Sequence, residues 1–205
     1  MNFKKLQAMQ LELENSILSA KPKMTAEERF NKTLVALSVE VAEVANAVEH
    51  FKFWKDNKGK VDSKRFVPNW DYGGNQIIGY YDYNNGAPSQ ISFEQAHELT
   101  LVEECSDALH FLLSIANQLC YEIDSYYNEL PNSETLESLF LNINFQVTTL
   151  QRYDASSSEV DKVQLQCLIN NYFQYIEKLG ITTQELEQAY YDKNKVNYER
   201  LREGY

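Results

Sequence analysis

Two stretches of this chain have the spacing of buried helices and yet seat acidic residues inside the apolar pattern. That conflict limits what the chain can fold into. Around "LSVEVAEVANAVEHFKFW", residues Leu34, Leu37, Val41, Val44, Val48 and Phe51 recur three and four positions apart, which on an α-helix makes one continuous stripe. Glu40 lies roughly 70° to one side of that stripe and Glu43 roughly 130° to the same side. Ala36, Val39 and Ala47 lie beyond them, so the carboxylates are bordered by apolar groups on both flanks. In "LVEECSDALHFLLSIA" and the residues after it, Leu101, Cys105, Ala108, Leu112, Ile115 and Leu119 form a second stripe. Glu104 is offset from it by roughly 60° and Asp107 by roughly 120°, in the same rotational sense. Leu37/Leu101, Glu40/Glu104 and Val44/Ala108 fall in register, a weak internal repeat.

If the two stripes pack face to face in parallel, the acidic pairs land on opposite sides of the contact. If the helices run antiparallel, a pseudo-two-fold axis brings both pairs to the same side. Four carboxylates then converge at an apolar seam, where desolvation and mutual repulsion penalise their charged forms. Divalent cations relieve that penalty, and an all-carboxylate set selects Mg²⁺, with Mn²⁺ as a substitute, over Zn²⁺. A Glu-x-x-Glu beside a helical seam is also a common solvated flank, and the residues alone leave that reading open.

The rest of the chain reads as helix with one interruption. Leu6, Met9, Leu13 and Ile17 give a first amphipathic segment. Thr25 with Glu28 is a capping-box pattern that opens the second helix, which the periodicity carries to about Trp54. A third helix is expected from about Phe93 to Asp124, with a break near Cys120. Pro131-Asn132-Ser133 punctuates the chain. A fourth helix is marked by Leu136, Phe140, Ile143, Val147 and Leu150, and a fifth by Val160, Val163, Leu165, Leu168 and Tyr172, ended by Gly180. Thr182 with Glu185 opens the last. The interruption, Asp56 to Ser92, holds five of the seven glycines and two of the four prolines. It is too aromatic for a disordered linker, and Asn85-Gly86 is a hairpin-turn signal. The expectation is one all-α domain over residues 1–205, about six helices in a bundle, with an insert at about 56–92 containing a small two-stranded piece.

The net charge of −11 argues against binding nucleic acid or anionic membrane. The N-terminal "MNFKKLQAMQLELENSI" breaks its apolar residues with Gln and Glu, unlike a signal peptide or a membrane span. Cys105, Cys120 and Cys167 have no paired or metal-type spacing and read as thiols of a reducing, cytoplasmic setting.

Glu40-x-x-Glu43 followed by "FKFW", Glu104-x-x-Asp107 with "ALHFLLS", and the late "KNKVNYERLREGY" together resemble the dimeric all-α dUTPases. These belong to the wider group of MazG-like helical nucleotide pyrophosphatases, and the members resembled are phage or bacterial. The resemblance runs from the first helix to the C-terminus apart from the insert. It implies a homodimer that hydrolyses dUTP to dUMP and pyrophosphate with Mg²⁺. Glu40, Glu43, Glu104 and Asp107 would be metal ligands, and Glu43, with Glu40 beside it, would orient a water and take its proton. Lys193, Asn197 and Arg200 share one helix face and would hold phosphates and sugar, with Tyr205 closing over the ligand. Trp54 and His110 would contact the nucleoside, and Gln10 would read the base with its donor and acceptor. The family's Asn about one turn after that Gln is replaced by Glu14, with Asn15 beside it. The resemblance also allows a repressor-type regulatory protein as a partner for the insert.

Three other readings compete. One is the same fold acting on another nucleotide such as dCTP. Another is a non-catalytic helical interaction protein. The third is a di-iron carboxylate bundle, for which Glu94-x-x-His97 supplies one Glu-x-x-His element where two are required.

Overall fold

The computed structural model describes residues 1–83, 87–126, 134–150 and 159–204, with the Val160 side chain excepted. The Asn85-Gly86 turn, the Pro131 to Ser133 break, the Val160 side chain and Tyr205 lie outside the described residues. Among those described, six helices follow one another: α1 (Phe3–Ala20), α2 (Ala26–Val48), α3 (Phe93–Gln118), α4 (Leu136–Leu150), α5 (Glu159–Lys178) and α6 (Thr183–Arg202). An antiparallel sheet lies between α2 and α3: β1 (Phe66–Trp70), β2 (Ile77–Asp82) and β3 (Ser89–Ile91), in the order β1-β2-β3. None of these helices is long and apolar enough to cross a membrane.

The helix starts follow from side-chain chemistry. Asn2 accepts from the Lys5 amide at 3.0 Å and Thr25 from the Glu28 amide at 3.0 Å. Ser92 with Gln95 and Thr182 with Glu185 form complete capping boxes, each removing two unpaired donors from a helix start.

The two stripes meet as an antiparallel pair. At one end Gln118 of α3 donates to Thr33 of α2 at 2.9 Å and accepts from Arg29 at 3.0 Å. At the other end His97 of α3 meets the Ala47 carbonyl of α2 at 3.1 Å. Leu34, Leu37, Val41 and Val44 are buried against Leu101, Cys105, Ala108, Leu112 and Ile115. α3 is the central helix of the bundle. α1 packs along it through Gln7 and Gln10, α6 through Tyr190 and Lys193, and α5 through Tyr172, whose hydroxyl donates to the Cys105 carbonyl at 2.5 Å.

α2 does not reach Trp54. It stops at Val48, because Glu49 takes a left-handed conformation, φ 59°. The apolar spacing continues past that point, but a local charge cluster overrides it. The Glu49 carboxylate is 1% exposed and is held by Lys52 at 2.7 Å, by Lys55, and by the Gly59 amide at 3.1 Å. Phe51, which the stripe would bury, is instead 40% exposed. Gly59 has φ 102°, and a Cβ there would come within 2.9 Å of His97 Nε2, so only glycine fits this return of the chain. α3 ends close to where the sequence suggested a break, with Cys120 at φ 51°.

The insert carries three strands where two were expected. The hairpin between β1 and β2 turns at Asp71 to Gln76, where the Asp71 carboxylate accepts from the Asn75 amide at 2.7 Å and the Gln76 amide at 3.2 Å. Such an Asx cap stands in for a backbone turn.

Candidate active site

Glu40 and Glu43 project from α2 and Glu104 from α3, and their oxygens lie within 4.8 Å of one another. Antiparallel packing of two stripes with equal offsets produces this convergence. Burial, and then the Asp107 and Glu43 charges, push Glu40 up to about 7. Burial, with Glu43, Asp107, Glu40 and Glu103 around it, does the same to Glu104. Asp107 is also raised by burial, against the pull of Lys193. Carboxyls held that far above their ordinary range by their neighbours form a pocket short of positive charge.

Lys193 of α6 supplies part of that charge. Its ammonium lies 2.6 Å from Asp107 and 3.3 Å from Glu103. Burial acts to lower its pKa, but the Asp107 and Glu103 carboxylates carry it above the ordinary lysine value. Asp107, expected as a fourth member of the acidic cluster, thus faces an ammonium on one side and the other carboxylates on the other. Glu103 in turn accepts from Arg65 at 3.1 Å, and Arg65 reaches Asp82 of β2 at 3.2 Å. An alternating chain of charge therefore runs from the sheet to the acidic cluster. Sequence reasoning passed over Glu103, Arg65 and Asp82. Only the Glu103-Glu104 doublet hinted at the first, and nothing local ties Arg65 to residues 17 and 38 positions away.

Beside this cluster α1, α3 and α6 enclose a second group. Gln10 is buried, and its carbonyl oxygen accepts from His110 Nδ1 at 2.7 Å and from the Tyr190 hydroxyl at 3.2 Å. Its amide nitrogen donates to Glu14 at 3.1 Å. The His110 ring stacks on Tyr190 with centroids 4.1 Å apart. Burial, reinforced by Lys193, pulls the His110 pKa down to about 3, leaving the ring neutral. His110 Nε2, Ser106 Oγ and Asn194 Nδ2 are buried with no hydrogen-bond partner, each a cost of about 1–3 kcal/mol in a finished core. Three such orphans from α3 and α6, near the acidic cluster, mark a place short of hydrogen-bonding partners.

The other expected site residues are placed as follows. Asn197 is half-buried on α6, one turn beyond Lys193, and Arg200 is exposed one turn further, close enough to act on Asp107. Trp54 is 66% exposed and stands after the end of α2, edge-on to Phe53 with centroids 5.0 Å apart. Glu94 is exposed, while His97 stacks on Phe93 and bonds the Ala47 carbonyl. The Glu94-x-x-His97 element is therefore structural and the di-iron reading falls.

The helical bundle gathers carboxylates from two antiparallel helices beside a lysine of a third. The chain belongs to the all-α dUTPase family, described simply as dUTPase, whose model matches residues 2–67 and 92–205. Membership makes it an enzyme, a dUTP diphosphatase, rather than a non-catalytic helical module. The unmatched segment between those ranges, residues 68–91, holds all of the sheet but the first two residues of β1. Among curated proteins, none matches the chain significantly.

Proposed function

We propose that the chain converts dUTP to dUMP and pyrophosphate in a reaction that requires Mg²⁺, with Mn²⁺ able to replace it. The observation that carries this reading is the convergence of the Glu40, Glu43 and Glu104 oxygens within 4.8 Å, with Asp107 adjoining. A donor set made only of carboxylate oxygens, two of them pushed up to about 7 by burial and mutual repulsion, fits a hard divalent cation. Bound there, the ion would offset the negative charge of the triphosphate and acidify a water.

The chain's own groups then have separable roles. Glu43, the most exposed of the three carboxylates in the cluster, orients the attacking water and takes its proton, with Glu40 beside it. Lys193, with Arg200 a further two turns along α6, engages phosphate oxygens, and Asn197 the sugar or a phosphate. His110 takes the nucleoside, with Gln10, whose oxygen is committed to His110 and Tyr190, offering its remaining amide N–H. Trp54 is a further nucleoside contact, and the family resemblance assigns Tyr205 to the ligand. This division keeps the cationic groups on α6 and the acidic groups on α2 and α3.

We also propose a homodimer. Val35 and Val39 of α2 and Leu141 and Phe145 of α4 are exposed, and a cavity of about 470 Å³ lies between these helices, lined by Leu34, Val35, Val39, Ala42 and Val147. An apolar face of that kind is what a second copy would cover. The sheet exposes Val67, Trp70, Tyr72 and Ile78, the surface a repressor-type partner would use.

Pyrophosphate release from dUTP with Mg²⁺ and with EDTA tests the reaction. Turnover that survives EDTA would remove the metal requirement. Comparable turnover of dCTP, dATP or dGTP would remove the uracil preference.

A further inference from the structure

The hydrogen bonds around Gln10 have two self-consistent settings. In the observed one, the Gln10 nitrogen donates to Glu14, and its oxygen accepts from His110 Nδ1 and the Tyr190 hydroxyl, at 3.1, 2.7 and 3.2 Å. Half a turn of the amide would exchange nitrogen and oxygen. The nitrogen would then donate to His110 Nδ1 and to the Tyr190 oxygen. The Tyr190 hydroxyl would donate to the Leu6 carbonyl, which lies 3.3 Å from it. The imidazole would carry its proton on Nε2.

Amide, neutral imidazole and hydroxyl each donate and accept, so all three are satisfied either way. A carboxylate only accepts. With the amide reversed, the Gln10 oxygen would be set against a Glu14 oxygen, two acceptors with no hydrogen between them. Glu14 favours the observed setting, and the Leu6 carbonyl pulls the other way. An asparagine in its place, the residue the family resemblance leads one to expect there, can turn its own amide and would not decide.

We propose that Glu14 is a positioning residue for nucleoside recognition. By fixing the Gln10 amide it holds His110 as the Nδ1–H tautomer, so that Nε2 serves as a hydrogen-bond acceptor for a donor on the nucleoside. This rests on the reading that Gln10 and His110 take the nucleoside of dUTP. The Nε2 atom is buried and without a partner in the structure, and the ring is neutral, so a tautomer is there to be chosen. Two donors of the substrate have the required chemistry: the imide N–H of the base and the 3′-hydroxyl of the sugar.

The tautomer can be read without substrate. Two-bond ¹H–¹⁵N correlation spectra of the labelled, ligand-free protein at neutral pH resolve the ring nitrogens of the three histidines, and a His110→Asn spectrum assigns the relevant set. The wild type should show Nδ1–H at His110. Glu14→Ala and Glu14→Gln should both move it toward Nε2–H. An Nε2–H wild type, or a tautomer unchanged in both variants, overturns the proposal.

Kinetics test the ligand half. Glu14→Ala should lose about tenfold in kcat/KM for dUTP, chiefly through KM, the size of one hydrogen bond. The loss should vanish with whichever substrate lacks the donor: dCTP, without the imide N–H, or 2′,3′-dideoxyuridine triphosphate, without the hydroxyl. An equal loss on all three, or none on dUTP, overturns it. Failure of the wild type to hydrolyse dUTP would sink the hydrolase reading and leave the spectra standing on their own.

Discussion

Glu104→Gln should stabilise the metal-free protein at pH 8 and leave it nearly unchanged at pH 4.5. Burial and the surrounding carboxylates raise Glu104 from the ordinary 4.5 to about 7. The folded state therefore binds a proton more tightly than the unfolded chain does. Below 4.5 both states are protonated and the group contributes nothing to the difference. Between 4.5 and 7 stability falls as the unfolded chain releases its proton first, and above 7 the penalty is complete. At about 1.4 kcal/mol per pH unit the ceiling is roughly 3 kcal/mol. Glu104 is partly exposed, and solvent screening brings the expected gain down to about 1–2 kcal/mol. For a chain of this size that is a rise in Tm of about 2–8 °C. The amide keeps the shape of the acid and removes only the charge. Thermal unfolding of both proteins in EDTA at pH 4.5, 6 and 8 gives the answer. A variant no more stable than wild type at pH 8, or a gain equal at all three pH values, would refute the reasoning that the carboxylates repel across the seam.

Adding Mg²⁺ at pH 8 should raise the wild-type Tm and do much less for Glu104→Gln, since the ion acts on the same repulsion; calorimetry with and without EDTA checks this. Asp107→Asn should lower dUTP turnover by about two orders of magnitude or more while circular dichroism shows the helices intact. Gly59→Ala should cost about 1–3 kcal/mol in urea unfolding, because residue 59 has φ 102° and an added Cβ would lie 2.9 Å from His97 Nε2.

Much of the bundle is legible in the sequence because it depends on spacing. The stripes at Leu34 to Val44 and Leu101 to Ile115 specify which faces are buried, and equal offsets of Glu40/Glu43 and Glu104/Asp107 specify where the acids meet once the helices run antiparallel. The Thr182–Glu185 capping box is equally local and appears as read. What spacing could not reveal was decided by partners distant in sequence or by competition between neighbours. The end of α2 is one case: Val48 and Phe51 continue the apolar phase, but Glu49 folds back under Lys52, Lys55 and the Gly59 amide. The grip of Glu103 on Lys193 and Arg65 is another, since it exists only once α3, α6 and the base of the sheet are assembled. Gln10 and Glu14 are one helical turn apart and face each other by spacing alone, but the hold of Gln10 on His110 and Tyr190 spans 100 and 180 positions. The third strand, Ser89–Ile91, is too short to announce itself by alternation.

The register of the sheet has a practical consequence. The chain enters at Phe66, opposite Asp82, and leaves at Ile91, opposite Tyr80, so the two points are two strand spacings across and two residues along, roughly 12 Å apart. About three or four extended residues bridge that gap. The segment behaves as a cassette spliced between two helices that already know how to meet. Excising residues 69–90 would untie Asp82 from Arg65 and strip β2 from α3, while the buried Phe66 and the hydrogen bonds at the two ends of the α2–α3 pair would remain.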